Sequence, residues 1–252
     1  MASIKVDPTP VDRVGAVGEV VAHYQPVFDL STNEMVGAEA LVRMDGPEAD
    51  AVPALRVLGA ARALGIEARL TDVMLAQACV DFASGAAAEN GWWVSVNLGR
   101  GDVVDRDLPG RVAGPLEATG LDPSRLVLEV PETIAPCPEA ADTLRAVAAM
   151  GVRIALDDFG AVTSTVEQVT HLPIDIVKLD RSIVQRSTYG GHARLKAAVG
   201  FARSRGLVTI AEGIEQWEDK LLATLADCDL GQGFHWSSAK PRDELFVEHG
   251  CR

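Results

Sequence analysis

Asp157 and Asp158 stand side by side at the end of the apolar run Val152–Leu156, just before Phe159-Gly160. Asp is a poor strand former, and two adjacent carboxylates repel one another and lose hydration as a site closes around them. A cation would offset both effects, and a hard divalent ion prefers carboxylate oxygen. Taken alone, Asp-Asp before a glycine is better explained as a solvated turn or a helix cap. The same polarity recurs on the other strands the sequence predicts: Glu39, Asn97, Glu129, Glu212 and Gln232, with Lys178 near the end of a sixth strand. Singly, each has a plain reading as a paired acid, turn former, cap acid, loop amide or snorkelling lysine. Together they are hard oxygen donors with one lysine, a set suited to Mg²⁺ or Mn²⁺ rather than to zinc, which takes His and Cys. Such a set serves two-metal phosphodiester hydrolysis, in which the ions activate water and stabilise charge on the attacking and leaving oxygens. Asp157 and Asp158 would let one carboxylate bridge two ions while its neighbour holds the second. Lys178 would orient the water or bind phosphate as a point charge.

The elements that must position these groups alternate along the chain. Ala22–Leu30 reads as a strand, with Pro26 demoting it to an edge or a strand end. A turn at Ser31–Asn33 leads into a second strand, Met35–Met44, which should pair with the first as a hairpin. A short helix is expected at Val14–Val21. Apolar spacing predicts helices over Pro53–Leu64 and Thr71–Ala83, and Gly85–Gly91 reads as a loop. Strands follow at Trp92–Leu98, Leu126–Val130, Val152–Asp157, Ile174–Leu179, Leu207–Ala211 and Leu230–Phe234. Between and after them come helices within Val103–Thr119 (interrupted near Pro109), Glu139–Met150, Thr163–Thr170, His192–Ser204, Gln216–Leu225 and from Asp243 onward. Eight strands interleaved with helices over this length predict an α/β fold, a modified TIM-type (β/α)₈ barrel with an antiparallel first strand. In such barrels the chemistry sits at the carboxyl ends of the strands, where the polar residues above fall.

The 252-residue chain reads as one domain, residues 19–252, after an expected leader over residues 1–18 containing Pro8 and Pro10. Apolar residues make up 48% of the chain, enough for a sizeable core. The formal charge of −13 argues against bulk nucleic acid and against membrane surfaces as partners. A small phosphate ligand remains open, because bound divalent ions reverse the local sign. Four scattered cysteines and five separated histidines show no metal-site spacing. With no signal peptide or long apolar run, the expectation is a cytoplasmic protein.

The motifs, read in order, resemble the EAL family of bacterial cyclic di-GMP phosphodiesterases. The name-giving triplet stands at Glu39-Ala40-Leu41, followed by Arg43. Tyr24-Gln25-Pro26, ahead of the triplet, matches the family's first strand, and Ser95-Val96-Asn97-Leu98 and Leu128-Glu129-Val130-Pro131-Glu132 match the two motifs that follow it. Asp157-Asp158-Phe159-Gly160, the Leu172–Asp180 segment, Ala211–Glu215 and Gly231–Phe234 complete the series. The resemblance implies that Glu39, Asn97, Glu129 and Asp157 hold one metal and that Asp157 and Asp158 share a second. It implies that Glu212 and Gln232 hold waters or complete the site, and that Lys178 helps activate the attacking water. It implies further that Gln25, Leu41, Arg43 and Gln232 meet the substrate and that Glu132 braces the loop after Asp158. The implied ligand is cyclic di-GMP, the product linear pGpG, and the assembly a homodimer.

The resemblance has departures. The family continues its Asp-Asp-Phe-Gly motif with Thr-Gly-Tyr-Ser-Ser, whereas this chain has Ala161-Val162-Thr163-Ser164-Thr165. Val at the glycine position disfavours backbone conformations open to glycine. Met44 stands where the family has Trp, and the tail from Phe234 to Pro241 is slightly expanded. Ser187–His192 reads as a plain loop. Three functions therefore compete: an active phosphodiesterase, a cyclic di-GMP receptor of weak or no turnover, and a protein-interaction module.

Overall fold

Alternation along Glu19–Asp29 (β1) buries every second side chain of its outer part, from Val20 through Tyr24. The computed structural model describes residues 19–45, 54–134, 137–160, 171–185 and 191–250. β1 turns at residues 30–34 into Met35–Asp45 (β2), which returns antiparallel to it. The chain then runs Ala54–Leu64 (α1), Glu67–Phe82 (α2), Gly85–Glu89 (α3), Trp93–Asn97 (β3), Arg100–Val104 (α4), Leu108–Thr119 (α5) and Leu126–Pro131 (β4). Pro138–Ala148 (α6), Arg153–Phe159 (β5), Ile176–Leu179 (β6), Arg181–Val184 (α7), Gly191–Ser204 (α8) and Val208–Ala211 (β7) follow. Trp217–Leu225 (α9), Leu230–Gln232 (β8) and Arg242–His249 (α10) end the described chain. The strands close into a barrel in sequence order. β2 through β8 are parallel, and β1 is antiparallel to both of its neighbours. No described helix is long and apolar enough to cross a membrane.

The two-residue period of a strand sorts the barrel interior into layers. Val27, Trp93, Val127, Ala155, Ile176 and Ile210 pack together as an apolar floor. Two residues further on, on the same face, stand Ser95, Glu129, Asp157, Lys178 and, just past the end of β7, Glu212, with Asn97 two residues beyond Ser95. One inward face thus carries an apolar layer and, above it, a polar one. A larger apolar cluster fills the space between the strands and the surrounding helices.

Several elements differ from expectation for identifiable reasons. Pro26 lies inside β1 rather than at its end. On the edge away from β2, pairing with β8 begins at Val27, and among the described residues the outer part of β1 is next paired on that edge where Tyr24 meets Lys240. Pro26 occupies the gap, where no ladder bond is lost. Glu19–Val21 belongs to β1, so the helix expected there is not formed over these residues; 14–18 lie outside the described residues. Gly85–Gly91 contains α3, because Ala86-Ala87-Ala88 favours a helical turn. Pro109 opens α5 at its first turn, where its missing N–H costs nothing, and the break falls before it. β5 runs past Asp157 to Phe159. α7 was not anticipated; Asp180 caps it by accepting from Ser182 N–H at 2.9 Å. The helix expected at Thr163–Thr170 and the loop changes at 161–165 lie outside the described residues, as does most of Ser187–His192.

The turn after β3 is clamped from below. Asp102, buried in α4, accepts from Gly99 N–H and Thr71 Oγ1, each at 2.9 Å, and from Arg111 Nη2 at 2.9 Å. Arg111 also reaches Asp72 at 2.7 Å, Asp105 at 3.2 Å and the Ala68 carbonyl at 2.7 Å. One arginine therefore binds α2, α4 and α5 together at the turn that follows Asn97.

Candidate active site

Seven successive strands each supply one polar group to the upper layer of the barrel: Glu39, Asn97, Glu129, Asp157, Lys178, Glu212 and Gln232. Their common centre is the Lys178 ammonium. Its Nζ lies 2.6 Å from Glu129, 2.8 Å from Glu212, 3.0 Å from Asp157 and 3.3 Å from Glu39. Glu39 also accepts from Asn97 Nδ2 at 2.8 Å and from Gln232 Nε2 at 2.9 Å. Gln25 of β1 stands opposite Glu39 in register and donates to the Ser237 carbonyl at 3.2 Å.

Four carboxylates around one ammonium carry surplus negative charge in a buried place. Burial opposes the charge on Lys178, yet Glu129, Glu212, Glu39 and Asp157 hold its pKa well above the ordinary lysine value. Burial, then the charge of Glu39, pushes Glu129 well up. Burial raises Glu212 to about 8, against the pull of Lys178. Glu39 goes the other way despite its burial, because Lys178, Asn97 and Gln232 all favour its charged form. The cluster thus retains protons that further positive charge would displace.

Asp157 and Asp158 would point to opposite faces in a regular strand. The pairing of β5 with β6 slips between Leu156 and Phe159, and Asp158 takes a left-handed backbone with φ 58°. Asp tolerates that region better than most residues, and the bulge lets both carboxylates serve one mouth. Asp157, Asp158 and Glu212 each bring a carboxylate oxygen within 4.8 Å of the others. Burial, then the charges of Asp157 and Asp180, raises the Asp158 pKa. Gln232 Oε1 is buried and has no hydrogen-bond partner among the described residues. An all-oxygen, acid-rich donor set with an amide oxygen to spare fits a hard divalent cation such as Mg²⁺ or Mn²⁺.

The remaining expected residues lie as follows. Leu41 lines a second cavity of about 640 Å³ with Glu39, Asn97, Met74 and Arg62. Arg43 donates to the Val42 carbonyl at 2.8 Å. Glu132 is buried at the start of the 3₁₀ turn Glu132–Ile134, outside the cluster on Lys178. Glu212, expected to hold waters or complete the site, stands in the trio of metal-capable carboxylates with Asp157 and Asp158. A cavity of about 320 Å³ opens above these groups, lined by Gln25, Glu39, Asp158, Glu212 and Gln232. Asp180, Arg181, Glu215 and Phe234 line it as well, though the sequence reading gave them no role. Asp180, Glu215 and Phe234 stand inside the motifs quoted from the sequence, and Arg181 directly follows one of them; that position was their signal.

The EAL domain pattern matches residues 13–239 of the chain. This chain belongs to the EAL domain family. An uncharacterized signaling protein of Caulobacter vibrioides is 36% identical over 234 residues, covering 91% of this chain and 29% of the relative. The bifunctional diguanylate cyclase/cyclic di-GMP phosphodiesterase MucR of Pseudomonas aeruginosa is 30% identical over 236 residues, covering 91% of this chain and 34% of MucR. The chain thus spans about a third of the length of these relatives. The solved PaMucR phosphodiesterase, in complex with c-di-GMP, superposes with a TM-score of 0.80 at 28% identity, covering 90% of this chain and 94% of that one. The EAL triplet is Glu39-Ala40-Leu41 of β2, so the first letter of the family name is the carboxylate that joins Lys178, Asn97 and Gln232.

Proposed function

We propose that this EAL domain is a metal-dependent phosphodiesterase that opens cyclic di-GMP to linear pGpG. The observation that carries the reading is the convergence of Glu39, Glu129, Asp157 and Glu212 on one buried ammonium, beside the Asp157–Asp158–Glu212 trio. Asp157, Asp158 and Glu212, with Glu39, Asn97 and Glu129, would hold Mg²⁺ or Mn²⁺. When bound, such ions supply a nucleophilic water near neutral pH and stabilise charge on the phosphate oxygens.

The chain's own residues do the rest. Lys178 keeps its proton among the acids and so acts as a donor, orienting water or a phosphate oxygen at the centre of the site. Glu39, fixed by three donors, cannot rotate away, and Asn97 and Gln232 are fixed with it. Gln232 Oε1 is free to accept from a water. Leu41 and Gln25 offer contact surface to the dinucleotide on the two sides of Glu39, and Glu132 braces the loop after Asp158. The apolar floor excludes water from beneath, which strengthens every charge interaction above it. A cytoplasmic location and a homodimer accompany this reading. Purified protein with Mg²⁺ or Mn²⁺ should convert cyclic di-GMP to pGpG, and no product at high enzyme concentration defeats the proposal.

A second reading is a cyclic di-GMP receptor of weak turnover. It is favoured by Ala161-Val162-Thr163-Ser164-Thr165, which departs from the sequence the family carries after its paired aspartates. Calorimetric binding without pGpG formation would establish it.

A further inference from the structure

Arg181 is the one cation among the described residues that line the 320 Å³ cavity. Five carboxylates share that lining: Glu39, Asp158, Asp180, Glu212 and Glu215. Its guanidinium nevertheless makes no ion pair with any described residue. An arginine held among acids without pairing to them is placed for a ligand.

The backbone around it is fixed. Asp180 caps α7 immediately before Arg181. At the other end of α7, Gln185 Nε2 donates to the Gly213 carbonyl at 3.1 Å and to Glu215 at 3.3 Å. Gly213 has φ 64°, and a Cβ there would collide with the Arg181 Cβ. The arginine stem therefore packs on a bare backbone, directly after Glu212, and only its outer part is free to move.

We propose, resting on the phosphodiesterase reading, that Arg181 binds the second, uncleaved phosphate of the cyclic dinucleotide. Such a substrate carries two phosphodiesters at a separation set by its macrocycle. The acids and their ions take one of them, and the bare carboxylates around the cavity repel the other. A guanidinium fork matches two phosphate oxygens at once. Arg43, the arginine that the motif pattern suggests for the dinucleotide, already spends a donor on the Val42 carbonyl.

The test compares wild type, Arg181→Ala and Arg181→Lys on two substrates with the same metal. Cyclic di-GMP has two phosphates, and bis(4-nitrophenyl) phosphate has one. Loss of a charge-assisted contact should raise KM for cyclic di-GMP about ten- to a hundredfold in Arg181→Ala. Arg181→Lys should recover part of that loss, kcat should change little, and KM for the single-phosphate diester should stay as in wild type. Equal effects of Arg181→Ala on both substrates, or none on cyclic di-GMP, overturn the inference. A wild type that neither binds nor cleaves cyclic di-GMP defeats the phosphodiesterase reading itself, and the inference with it. Thermal melting of each variant separates lost affinity from lost folding.

Discussion

Lys178 Nζ lies 2.6 Å from Glu129 Oε2, and each of these side chains is 2% exposed. A pair this deep is costly to leave half-made. Lys178→Ala should lower turnover by orders of magnitude. It should also destabilise the metal-free protein by about 3–5 kcal/mol, since the acids lose their counter-charge. Added Mg²⁺ should restore part of that stability, because it supplies the charge the lysine gave. Urea unfolding with and without chelator, beside a turnover assay, reads both effects; full activity would remove Lys178 from the mechanism.

Glu39 ties the site together through three separate donors. Glu39→Ala releases Asn97, Gln232 and Lys178 at once, so turnover should fall about a hundredfold or more, as for loss of a preorganised polar group in an active site. Initial rates across a range of Mn²⁺ concentrations test this. Activity recovered fully at high Mn²⁺ would place Glu39 in metal affinity alone.

The raised Glu212 pKa fixes a direction for pH dependence. In the folded chain it is pushed up to about 8, from an ordinary carboxylate value of 4.5. Between those values the folded chain holds a proton that the unfolded chain has released, so metal-free stability falls as pH rises from about 5 to about 8. A divalent ion must displace that proton, so its affinity should rise over the same range. Melting curves at pH 6 and pH 8, with chelator and with Mg²⁺, should show the stabilisation by metal growing with pH.

Arg111 holds Asp102 beneath the turn that follows Asn97. Arg111→Ala leaves a buried carboxylate without its cation and should cost about 3 kcal/mol. The loosened turn should also raise the Mg²⁺ concentration needed for half activity. Denaturant unfolding and a metal titration of the variant measure the two effects separately.

Much of the scaffold was legible because strand period and strand ends are local properties. Glu39, Asn97, Glu129 and Glu212 could be placed on one mouth from their positions in predicted strands alone. Asp157 and Asp158 were singled out by type, but the bulge that aims both at the mouth depends on the pairing of β5 with β6. The role of Lys178 as hub was hidden for the same reason, since its four partners come from four other strands. Short helices such as α3 and α7 escaped because a single turn carries little periodic signal. Arg181 escaped because its neighbour in space, Gly213, lies on another strand's loop.

The apolar floor of Val27, Trp93, Val127, Ala155, Ile176 and Ile210 seals the barrel from below. Traffic through the site therefore passes by the polar face of the barrel and not through its axis. Whatever is cut there must leave on the side from which it entered, and departing fragments compete with each newcomer for that face.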